Sequence, residues 1–270
     1  MAKTERKVAL AIGCHPDDIE FMMVGTLILL GEAGYEMHYM NLANGSCGTA
    51  VYNREDCIRV RTAEAKNACK IIGAKFHAPL MDDIDVYYEA KRLAKLGAVM
   101  RQINPTLMLL PSPQDYMEDH MNTGRLAVSA AFNRPMINFK TIPPTKAVGG
   151  NLTLYHALPY GLRDGLRQKI RPGQYVDVTT VIKTKREMLA CHKSQKEWLD
   201  TSQGLDAYLI TMENMCREVG KMSKKFKYAE GWRRHSHLGF SETEIDPLAE
   251  ALGKKIVVDS AYEKALNVAK

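Results

Sequence analysis

The sequence predicts an α/β protein on a mostly parallel sheet, and three observations carry that reading. Short apolar runs alternate with amphipathic stretches through the first half, the order in which βαβ units are written. Glycine and proline punctuate the boundaries between them. Histidines and carboxylates cluster just after two of the apolar runs, where a parallel sheet gathers its ligands.

The elements follow in order. "KVALAIGCH" is the first strand, and a helix follows from about Ile19 through "FMMVGTLILLGEAG", closing at Gly34. "EMHYMNLANG" is the second strand and leads into the glycine-rich loop "NGSCGT". Arg54 to Gly73 is the clearest helix, with Ile58, Ala65, Ala68, Cys69 and Ile72 at helical spacing. "KFHAPL" is a third strand, Tyr88 to Ile103 a helix, and "PTLMLLPS" a fourth strand set off by Asn104 and Pro105. The next helix is placed after "PQDYMEDHMNTGRLAVSAAF". Arg134 to Gly150, rich in proline and glycine, reads as a long surface loop of the kind that forms functional lids. "NLTLYHAL" and "QYVDVT" are further strands, and "TTVIKTKREMLACHKSQKEWL" is a helix with His192 near its end.

Composition narrows the function. With 46% hydrophobic and 25% charged residues over 270 positions, the chain reads as one soluble domain spanning residues 1–270, diverging in its C-terminal part from about residue 196. No run reaches membrane-spanning length and the start lacks a signal-peptide pattern, so a cytoplasmic protein with no membrane partner is expected. Cys14, Cys47, Cys57, Cys69, Cys191 and Cys216 are scattered, as reduced thiols are, without the spacing of a zinc knuckle. A net charge of +6 is modest. The basic run "KMSKKFKYAEGWRR" is taken as a solvated helix face with a nearby loop, and no nucleic-acid partner is expected.

The chemistry gathers in "HPDDIE", at the end of the first strand. Pro16 stiffens the turn. His15 and Asp18, three apart, can converge on one point, while Asp17 projects elsewhere. A histidine and a carboxylate make two thirds of a catalytic zinc site, which takes three protein ligands and leaves a position open. The end of the fourth strand supplies the third, since "PSPQDYMEDH" brings Asp115, Glu118, Asp119 and His120 to the same sheet edge. His15, Asp18 and His120 are therefore the expected metal ligands for one zinc ion per chain, with Asp17 as general base and Asp119 behind His120. The plainer alternative is a helix N-cap with acids in its first turn. A dinucleotide is disfavoured, because "GCHPDD" lacks the G-x-G-x-x-G spacing and its carboxylates repel a pyrophosphate.

These residues also resemble a known family. "HPDDIE" after an apolar strand, then "GTL", "RTAEAKNACKIIG" and "DYMEDH", and later His192 with Ser194 and Gln195, look like the LmbE-like or PIG-L family of zinc-dependent N-deacetylases. The resemblance runs from about Val8 to Gln195. It implies a Rossmann-like three-layer fold and hydrolysis of acetamides on amino sugars or their conjugates. It also implies that Arg61 lies close to the substrate, although an ion pair with Glu64 on the helix surface is the other reading of that residue.

The chain departs from the pattern at Met117, where many members carry a histidine assigned to oxyanion stabilisation or acid work. Methionine does neither. His192, Tyr116 and His156 are the candidates to compensate, with a buried structural role as the alternative for each. The expected site is thus Asp17 and His192 as catalytic groups and Arg61, Tyr116 and Met117 against a small N-acylated substrate, in a homo-oligomer. A metal-binding module that has lost turnover, or a hydrolase of another acyl amide, is the competing expectation.

Overall fold

Strand β1 (Val8–Gly13) is buried along its whole length, as the central strand of a sheet covered on both faces must be. The computed structural model describes residues 6–196 and 207–266. Around β1 lie β2 (Glu36–Asn41), β3 (Lys75–His77), β4 (Leu107–Leu110) and β5 (Thr153–Ala157), in the order β3-β2-β1-β4-β5 and all parallel. The order reverses between β1 and β4, which opens a crevice at their carboxyl ends. Successive β1 residues serve opposite faces. Ala9 and Ala11 join the apolar core on one side, and Val8, Leu10 and Ile12 that on the other.

The helices of this half are α1 (Asp18–Met22), α2 (Val24–Glu32), α3 (Arg54–Ile71), α4 (Ala90–Ile103) and α5 (Glu118–Phe132). The single helix expected after β1 is two, because the backbone leaves helical geometry at Met23 (φ −134°). The helix placed after "PQDYMEDHMNTGRLAVSAAF" lies inside that stretch instead, starting at Glu118. Its acidic first turn, Glu118 and Asp119, suits the positive end of a helix.

The C-terminal part departs from a parallel reading. Strands β6 (Gln174–Asp177), β7 (Ala229–Arg234) and β8 (Ile256–Val258) extend the sheet in the order β5-β7-β6-β8, every one of these pairings antiparallel. The sheet is mixed. Helices α6 (Ile182–Leu189), α7 (Ala207–Ser223), α8 (Pro247–Leu252) and α9 (Ser260–Leu266) accompany it. The basic run read as a solvated face contains β7, with Trp232 fully buried and Glu230 nearly so. The sequence conceals the strand because its buried polar group is matched by partners far away in the chain: Glu230 accepts from Gly25 N (2.9 Å), Thr26 N (2.7 Å) and buried Lys185.

Two further expectations change. Helix α6 ends at Leu189, before His192. The 134–150 loop is no lid over the crevice, because Arg101 of α4 donates to the carbonyls of Arg134 (3.2 Å), Met136 and Thr145 (2.6 and 2.7 Å). Among the described residues no helix is long and apolar enough to cross a membrane.

Candidate metal centre and active site

The crevice is shaped by a turn only glycine permits. A Cβ on Gly13 would stand 2.9 Å from Ile19 Cγ1 and 3.0 Å from Asp18 Cβ, so its absence lets α1 fold back over the end of β1. Asn41 at the end of β2 fixes the turn by donating from Nδ2 to His15 O (2.7 Å). Asp17 then takes φ +116°, a conformation costly for a residue with a side chain and typical of strained functional sites.

His15, Asp18 and His120 converge. His15 Nδ1 lies 3.3 Å from His120 Nε2 and 3.7 Å from Asp18 Oδ2, and His120 Nε2 lies 3.4 Å from the same oxygen. Three ligands of a tetrahedral ion, each at about 2.0–2.1 Å, stand roughly 3.3 Å apart. The outer nitrogens are committed elsewhere: His15 Nε2 faces Asp119 Oδ2 (3.2 Å) and His120 Nδ1 faces Asp115 Oδ1 (3.1 Å). With both outer nitrogens donating to carboxylates, the two inner lone pairs and the Asp18 oxygen point at one another. That arrangement is repulsive without a cation between them and favourable with one.

The electrostatics agree. Burial opposes charge on His120, yet Asp18 and Asp115 outweigh it and lift its pKa to about 9. Burial also opposes charge on Asp18, but His120, His15 and two backbone N–H groups hold its carboxyl below the usual range. The cluster carries negative charge in search of a positive partner. Asp119, expected behind His120, stands behind His15 instead, steadied by Ile84 N (2.7 Å). Asp115 takes the place beside His120, because Asp119, the residue just before His120 on α5, points toward β1.

Asp17 stands apart from the three ligand atoms. Burial raises its pKa and Arg61 opposes the rise. Tyr208 of α7 donates to its Oδ2 (2.6 Å), and Arg61 Nη2 lies 3.6 Å from the same atom. Arg61 is buried and also donates to Pro16 O (2.6 Å). The glycine loop closes over it, since a Cβ on Gly48 would reach within 2.1 Å of Arg61 Nη1. The surface pair with Glu64 does not form: Glu64 accepts from Ser194 N (2.9 Å) and Ser194 Oγ (2.7 Å), and Gln195 Nε2 reaches Gly48 O (3.1 Å).

A cavity of about 400 Å³ opens onto this cluster. His15, Asp17, Asp18, Arg61, Tyr116, Met117 and His120 all line it, together with Phe21, Tyr160 and Tyr208. His192 does not. It is fully buried, with Nε2 3.5 Å from Glu20 Oε2. His156 lies outside the cavity, bound to Pro111 O (2.9 Å). Sequence reasoning missed Tyr208, Tyr160 and Phe21. Phe21 lay within a quoted helix, whereas nothing local marks Tyr208, which reaches Asp17 only because α7 packs back against the first turn.

Comparison with known proteins reports a likeness along most of the chain. Diacetylchitobiose deacetylase of Thermococcus kodakarensis is 28% identical over 235 residues, 84% of this chain and 82% of that protein. The 4-oxalmesaconate hydratase of Pseudomonas putida is 24% identical over 201 residues, 72% of this chain and 76% of that one. Among solved structures, N,N'-diacetylchitobiose deacetylase from Pyrococcus horikoshii, in complex with an inhibitor, superposes with a TM-score of 0.72 at 22% identity, covering 90% of this chain and 89% of that one. Residues 10–131, which run from within β1 to the last turn of α5 and include His15, Asp18 and His120, match the family described as PIG-L, GlcNAc-PI de-N-acetylase. Over that stretch the chain is similar to the PIG-L (LmbE-like) family, and deacetylases are among the proteins that it resembles along most of its length.

Proposed function

We propose that this chain is a zinc-dependent N-deacetylase of Rossmann-like architecture that hydrolyses the acetamide of an N-acetylated amino sugar or a related small conjugate. The observation that carries the reading is the triangle of His15 Nδ1, Asp18 Oδ2 and His120 Nε2, with sides of 3.3, 3.4 and 3.7 Å and a carboxylate behind each histidine. An ion held by His15, Asp18 and His120 would supply Lewis acidity for the amide carbonyl and for water. Asp17 Oδ2 accepts the proton that water loses and returns it to the leaving amine, and Tyr208 and Arg61 fix the direction of that carboxylate. The Tyr116 hydroxyl is a donor at the cavity wall, where Met117 offers none. Phe21 and Tyr160 give a sugar ring apolar faces to lie against. His192 acts from behind the wall, through its contact with Glu20.

The relatives also include a hydratase, so addition of water to a carbon–carbon double bond is the second reading of the same centre. One preparation separates the two. Acetate release from a panel of N-acetylated sugars, lost on chelation and restored by zinc, is the expected result. Hydration of an unsaturated tricarboxylate without acetate release replaces the deacetylase reading. His120→Ala should lose the ion at neutral pH, and stoichiometric metal in that variant would remove His120 from the ligand set.

A further inference from the structure

A second cavity, of about 640 Å³, lies outside the site just described and is the larger of the two. The loop from Pro111 to Met117 runs between them: Pro113 lines the second cavity, Tyr116 and Met117 the first. Arg125, Arg233, Arg234, His156 and His235 line the second cavity, and among the described residues no carboxylate does.

The three arginines differ in how they are matched. Arg234 pairs with Glu244 (2.8 Å) and lies 3.9 Å from Asp246. Arg233 has only neutral acceptors, Gln114 Oε1 and Ser112 Oγ (2.9 Å), and its buried Nε has no acceptor. Among the described residues no carboxylate forms an ion pair with it, or with Arg125 on the exposed face of α5. A largely buried guanidinium without a counter-ion is costly, and burial pulls the Arg233 pKa down accordingly. The neighbouring histidines add no further positive charge. His156 Nδ1 donates to Pro111 O (2.9 Å), so its Nε2 accepts from His235 Nδ1 (3.0 Å) and both rings stay neutral.

We propose that this cavity is a second ligand site and binds a phosphate-bearing small molecule through Arg233 and Arg125. Two unmatched guanidiniums suit one doubly charged oxyanion, and guanidinium geometry favours phosphate. The volume exceeds what bare phosphate fills, so the natural ligand is an ester, its organic part against Tyr88 and Tyr262. The proposal stands independently of the reaction at the metal centre.

Inorganic phosphate is the probe, titrated calorimetrically at constant ionic strength into wild type, Arg233→Gln, Arg125→Gln and the metal-free His120→Ala protein. Wild type should bind. Arg233→Gln should weaken binding about tenfold or more and Arg125→Gln several-fold, while His120→Ala should bind as wild type does. Arg125 is exposed, so its variant folds whatever happens at Arg233. Absence of binding by wild type, wild-type affinity in both arginine variants, or loss of binding in His120→Ala would each overturn the proposal, the last because phosphate would then sit on the metal centre.

Discussion

The five parallel strands and the three antiparallel ones share a sheet but divide its work. The parallel half holds the three proposed metal ligands, their carboxylate partners and Asp17, all within the loops and first helical turns that follow β1 and β4. The antiparallel half brings almost no chemistry of its own to that crevice. Its contribution is to hold: Tyr208 fixes Asp17, and Glu230 of β7 accepts Gly25 N, Thr26 N and Thr26 Oγ1 at the start of α2. Reactive groups arise from a short motif at a strand end. Part of the precision of their placement comes from residues roughly two hundred positions away, beside the nearer Asn41 and Arg61.

Breaking the chemical half gives the largest effect. Asp17→Asn keeps the side chain's size and tolerates the positive φ, so metal content should hold while turnover falls by about two to four orders of magnitude. Metal analysis beside steady-state rates checks it, and near-wild-type turnover moves the base to another residue. Breaking the holding half should act on stability. Glu230→Gln strands the fully buried Lys185 without a counter-charge, at a cost of about 3–5 kcal/mol in denaturant unfolding. A change below about 1 kcal/mol would mean the two halves are joined by packing alone.

The seam itself is sensitive to acid. His156 on β5 is hydrogen-bonded to both halves, and burial, with His235 and Arg233 nearby, pushes its pKa down to about 4. The unfolded chain therefore takes up the proton first, from about pH 6.5, and stability is lost as pH falls from there to about 4. The loss should approach 3 kcal/mol. Comparing unfolding of wild type and His156→Gln across that window isolates it; parallel curves would refute it.

Smaller effects sharpen the division. Met117→His places an acid–base group at the cavity wall, and acetamide hydrolysis should rise by at most about a hundredfold. A fall instead identifies Met117 as part of the pocket's fit to its own substrate. Tyr208→Phe removes one hydrogen bond to Asp17, and about a tenfold loss in kcat with KM unchanged is expected. A raised KM with kcat unchanged would instead assign the hydroxyl to substrate binding.

The first half of the chain was legible because its periodicities and its chemistry are local. Every parallel strand and the grouping of His15, Asp18 and His120 follow from short quoted stretches. Asp119 was misplaced by one partner because sequence spacing does not say which way the first turn of α5 faces. His192 was drawn into the catalytic set by its motif, yet the motif's Ser194 and Gln195 secure Glu64 and the glycine loop. Of the antiparallel strands, β6 lies within the quoted "QYVDVT", whereas β7 and β8 are hidden for a different reason. Strand β7 carries a glutamate and two arginines among its six residues, and only their distant partners make such a strand buriable.

Glu230 also has a meaning for the order in which the chain is made. Its carboxylate is 205 residues from Gly25, so at about 5–20 residues per second the start of α2 waits roughly 10–40 s for its acceptor during synthesis. Tyr208 reaches Asp17 across 191 residues. The nascent chain thus carries its histidine and carboxylate motif long before the groups that hold it emerge, and the Asp17 carboxylate acquires its final direction among the last events of maturation.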